Sequence, residues 1–110
     1  MRRAAAVVAT TTMMVGGIAL TASPASAAAI GKSGCTRNDA DRTIIAPNLS
    51  WPAVHDGPAG SRKVVARVDS AGDFRVQCST VNSAGNRWYY GYVDSGADSG
   101  KHGWVWSGNF

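Results

Sequence analysis

Two histidines, two cysteines, seven carboxylates and a late cluster of aromatic rings are the groups in this chain that could do chemistry. His55 and His102 have the side chain of a general base or metal ligand, but each falls in a turn and neither has a matching cluster. Zinc needs three or four His, Cys or carboxylate ligands, which the chain does not group together. The carboxylates are all Asp and sit mostly in turns, where Asp bonds its own backbone, so a paired-carboxylate hydrolase is not expected. Asp94 and Asp98 lack the alternating spacing and distal Glu of a calcium loop. Gly31-Lys32-Ser33 looks like the end of a phosphate-binding loop, but Ser26 stands where the earlier glycine is required. No Gly-x-Ser-x-Gly elbow is present. The residues therefore point away from an enzyme, with no catalytic residue, no metal and no cofactor.

Cys35 and Cys78 imply a different role. In so small a chain outside the cytoplasm, such a pair forms a disulfide. Export is legible at the N-terminus, where Arg2 and Arg3 precede the uncharged, largely apolar run from Ala4 to Leu20. Ala25-Ser26-Ala27 then supplies a small-x-small cleavage site, so residues 1–27 read as a signal peptide. Thr10, Thr11, Thr12, Gly16 and Gly17 dilute the run, which argues against a retained membrane anchor. Cys35 lies too far past the cleavage point for lipidation. Two arginines at the extreme N-terminus are ordinary signal charge, which favours the general export route over the twin-arginine one.

Removal of Arg2 and Arg3 leaves nine of the eleven Lys and Arg residues against seven Asp, a net charge of +2. So weak a surplus does not indicate a nucleic-acid partner. The expected location is extracellular, with no membrane association after cleavage.

The elements that must position these groups are short. Residues 28–50 are small, polar and turn-rich, and only Thr43-Ile44-Ile45-Ala46 has the composition of a strand; an extended arm held by Cys35 is expected. Beyond Trp51 strand-like runs cover residues 63–68, 73–78, 87–93 and 103–106, separated by turns at 57–60, 69–72 and 82–86 and a loop at 94–100. No helical periodicity is sustained, so the fold class is all-β.

Alternation along these runs assigns faces. Phe74, Val76 and Cys78 are expected on one face, toward the core. With Tyr89, Val93 and Val105 directed inward, Trp88, Tyr90, Tyr92 and Trp106 direct their rings outward. Trp104 is placed in the core despite its parity, as is common for Trp in a small domain.

In order and spacing the residues from 51 to 110 resemble the bacterial SH3-like domain, a small β-barrel of exported proteins. Val54-His55-Asp56-Gly57-Pro58 is similar to its opening turn, residues 63–68 to the strand that follows and Gly72 to a turn glycine. Trp88-Tyr89 and Gly103-Trp104-Val105 resemble two of its aromatic signatures. The arm bearing Cys35, the long loop at 94–100 and the tyrosine-rich 89–92 depart from that pattern. The resemblance implies a small SH3-like β-barrel over 51–110 behind the arm at 28–50. It also implies a non-catalytic module that binds cell-wall peptidoglycan through its peptide or glycan. The alternative expectation is a secreted protein-protein interaction domain that modulates an exported enzyme or another surface protein. On this basis Trp88, Tyr90, Trp106 and Phe110 are the expected ligand-binding residues, since rigid amphipathic rings suit a peptide or sugar groove.

Overall fold

The computed structural model describes residues 28–110, apart from the side chains of Ala40 and Asp41. The signal peptide expected over residues 1–27 lies outside the described residues. Among the described residues six strands follow in chain order: β1 (Arg37–Ile45), β2 (Ala53–His55), β3 (Val64–Arg67), β4 (Asp73–Val81), β5 (Arg87–Val93) and β6 (His102–Trp106). Two single 3-10 turns, Lys32–Gly34 and Ser107–Asn109, are the only other regular elements among the described residues. All pairings are antiparallel, and the strands form one sheet in the order β1-β4-β5-β6-β2-β3. The class is all-β, as expected. Among the described residues β1 and β3 pair on one side only, so the hydrogen-bonded sheet is open.

The expectation of an irregular arm is corrected at β1. Only Thr43, Ile44 and Ile45 are good strand formers, yet the strand begins at Arg37. The edge of β4 supplies the reason: Arg37 pairs with Ser79, Asn38 with Cys78 and Ile45 with Asp73, and a register shift between Asn38 and Arg42 accommodates the poor formers between them. Just ahead, the Thr36 N–H donates to the Ser79 carbonyl at 2.9 Å, so the pairing starts beside the disulfide.

One face of the sheet carries the main core, in which Val54, Val68, Phe74, Val76, Val93 and Val105 are fully buried. Each such side chain stabilises the fold by about 1.5–3 kcal/mol. These residues come from β2, β4, β5, β6 and the turn after β3, with buried Ala66 of β3 in the same cluster and Ile44 of β1 packed against it. Gly91 marks its tightest point. A Cβ there would lie 1.8 Å from the Arg75 carbonyl oxygen and 3.1 Å from the Phe74 ring, so no side chain fits.

Strand parity fails at one position in β4. Phe74 pairs with Val93 and Val76 with Gly91, but the next pair is Cys78 with Tyr90, with a register shift between Val76 and Cys78. Gly91 and Tyr90 are consecutive and point to opposite faces. Cys78 therefore shares the face of Tyr90 rather than that of Phe74 and Val76, because the bulge inserts one residue at Gln77.

Candidate ligand-binding face

The face opposite the core is aromatic. Register places Trp88 beside Trp106, Tyr90 beside Trp104, Tyr92 beside His102, and His55 beside Trp104. The rings touch: Tyr90 meets Trp104 edge-on at 5.2 Å, His55 meets Trp88 edge-on at 5.3 Å, and Tyr92 lies 5.3 Å from His102. Edge-to-face contacts of this kind suit the ring quadrupoles.

Much of this face is not solvent. The N-terminal segment crosses it, and the Cys35–Cys78 disulfide joins the two, with Cα atoms 5.8 Å apart. The Trp104 indole donates to the Ile30 carbonyl at 2.7 Å, and the Ile30 N–H donates to the Asp56 carbonyl at 2.7 Å. Arg62 ties the same segment down through Nη2 to the Ala28 carbonyl at 2.6 Å, while its Nε pairs with Asp56 at 3.0 Å. Gly34 is required in this crossing, since a Cβ there would stand 3.1 Å from the Trp104 ring and closer still to Ile30. Thr36 and Thr80 exchange a hydroxyl hydrogen bond at 3.0 Å beside the bridge.

The four expected ligand-binding residues are accordingly spread over different environments. Trp106 is exposed at 39 %, with its ring lying against Gly108. Tyr90 is half-buried. Trp88 was expected to face solvent and is instead buried, at 4 % exposure, although its parity is as assigned; it packs on His55 between Thr80 and Trp106. Phe110 does not join this face: it packs against the main core, 6.4 Å from Phe74. Trp104 is fully buried, but on the second face rather than in the main core. Tyr89, Val93 and Val105 lie on the core side, Tyr89 only half-buried at its margin.

One polar atom on the aromatic face is unusual. Among the described residues the Trp88 Nε1–H is buried with no hydrogen-bond partner. Leaving such a donor unpaired costs about 1–3 kcal/mol. The imidazole beside it is held in place by His55 Nδ1, 2.8 Å from the Arg62 carbonyl.

A second polar group lies where the core face reaches the β1 edge. Fully buried Ser79 donates to Asp39 and accepts from Arg87 Nη1 at 2.7 Å. Arg37 pairs with Asp39 at 2.9 Å. Arg42 donates to the Tyr89 hydroxyl at 2.8 Å and stacks on its ring, 4.7 Å from the centroid. The hydrogen bonds from Arg37, then that from Ser79 and the nearby Arg42 charge, hold the Asp39 carboxyl below the usual carboxylate range. Sequence reasoning missed this group because Asp39 falls in the stretch read as irregular. Only the pairing of β1 with β4 brings it to Ser79.

The exposed apolar residues Ile45, Leu49 and Trp51 were also not foreseen. Leu49 is 86 % exposed and adopts a left-handed φ of 60°, held by its N–H to the Ser70 hydroxyl at 2.6 Å. Among the described residues no three His, Cys, Asp or Glu side chains gather as a metal site.

No family model, curated protein or solved structure matches this chain.

Proposed function

We propose that the protein is a secreted, non-catalytic binding module whose ligand is cell-wall peptidoglycan, recognised through its peptide or glycan. In this reading the open sheet is the wall of an SH3-like barrel, and residues 1–27 are the signal that exports it. The disulfide is in keeping with an oxidising, extracellular location. The single observation that carries the reading is the half-open aromatic face: the exposed ring of Trp106, paired with Trp88, with half-buried Tyr90 on the same face. An exposed indole ring with a tyrosine on the same face offers stacking area and a hydroxyl, which suits a sugar ring or a peptide.

The test is co-sedimentation of the protein with insoluble cell wall. Wild type is expected to pellet above a control protein, and Trp106→Ala to weaken binding by about 2 kcal/mol, as for an aromatic hot spot. Absence of pelleting, or pelleting that is unchanged in Trp106→Ala, overturns the assignment.

A second reading, a module that binds another secreted protein, is favoured by Leu49 alone. A leucine at positive φ with its side chain in water is strained and exposed, a combination associated with function. Capture of a partner by wild type but not by Leu49→Asp would select this reading.

A further inference from the structure

We propose that the cleft between the Lys32–Gly34 turn and the start of β1 binds the C-terminal carboxylate of a short peptide. The inference rests on the reading of the domain as a binder of wall peptide, and it assigns a specific group of that peptide to a place away from the Trp106 ring.

The cleft is an open surface groove with a volume of about 380 Å³, lined mostly by exposed side chains. Its wall is formed by Lys32, Thr36, Arg37, Asn38, Gln77 and the Cys35–Cys78 bridge. Two cations and three neutral hydrogen-bonding side chains thus line it, with no carboxylate. The charges are not equivalent. Arg37 is balanced by Asp39 at 2.9 Å, whereas no carboxylate among the described residues stands within ion-pair distance of Lys32. One uncompensated ammonium matches one negative charge, which favours a carboxylate over a polyanion.

The neutral groups suit the rest of a peptide. Amide side chains donate to and accept from peptide bonds, and the Thr36 hydroxyl adds a further polar contact. The site is also preorganised. The disulfide fixes one wall, the Cys35 N–H donates to the Lys32 carbonyl at 3.0 Å, and Thr36 is tied to β4 through its N–H and its hydroxyl. A ligand entering here meets side chains whose backbone is already held, which lowers the ordering cost of binding.

The experiment is an amide chemical-shift titration of the full chain, disulfide intact, with N-acetyl-dialanine as its free acid and as its C-terminal amide. The acid is expected to shift the resonances of residues 32–38 and Gln77, and the amide to bind about tenfold more weakly. Lys32→Gln should abolish that preference and leave the remaining spectrum in place. Equal binding of acid and amide, shifts confined to other residues, or tighter binding of inorganic phosphate at the same residues would overturn the proposal. Sedimentation with cell wall separates it from the broader reading. Acid-selective binding without wall sedimentation defeats the wall assignment alone, and wall sedimentation without acid selectivity defeats the cleft alone.

Discussion

Reduction of the single disulfide is expected to uncover the aromatic face as well as weaken the fold. The bridge closes a loop with a sequence separation of 43 residues. Chain entropy for a loop of that size gives about 4 kcal/mol at room temperature. For a domain of this length that corresponds to a fall in Tm of about 15–30 °C. The same bridge anchors the segment whose Ile30 carbonyl accepts from the buried Trp104 indole, so its loss should let water reach that ring. The assay is urea unfolding of oxidised wild type against the Cys35→Ser/Cys78→Ser variant, followed by tryptophan fluorescence. The variant should show a lower midpoint and, before unfolding, a red-shifted emission with faster acrylamide quenching. A loss below about 1 kcal/mol with unchanged native emission would refute the argument, since the segment would then be held by its hydrogen bonds alone.

Three further outcomes are expected. Gly91→Ala should destabilise the domain by more than about 3 kcal/mol or prevent folding, because its Cβ would overlap the Arg75 carbonyl; circular dichroism melting checks this. Val105→Ala removes fully buried methyl groups and should cost about 2 kcal/mol in urea unfolding, while wall sedimentation per folded molecule stays constant. The lowered Asp39 group contributes to the acid response, beside Asp98, which the Arg67 N–H and Lys101 also hold below the usual range. The Asp39 contribution is fully present above the unfolded carboxylate pKa of about 4 and is lost as pH falls through the lower folded value, so Asp39→Asn should flatten the stability profile in that range.

Local chemistry alone determined several features. Turn residues and β-rich runs at 63–68 and 87–93 anticipated β3 and β5 closely, because alternation and turn composition are properties of neighbouring residues. The Cys35–Cys78 pairing followed from there being only two cysteines. That Tyr89 and Val93 share one face of β5, opposite Trp88 and Tyr90, followed from strand period; that this face is the inner one is shown by the burial of Val93 and Val105. Tertiary structure decided the rest. Arg37 to Asp41 are poor strand formers, and they became β1 only because the free edge of β4 offered hydrogen-bond partners. Cys78 left the core face because a bulge inserted one residue, an event that no periodicity announces. Trp88 and Trp104 point as parity requires, yet they are buried, because Trp88 packs on His55 and the segment around Ile30 lies across Trp104. Period assigns a side chain to a face; whether that face meets water depends on what residues distant in sequence place over it.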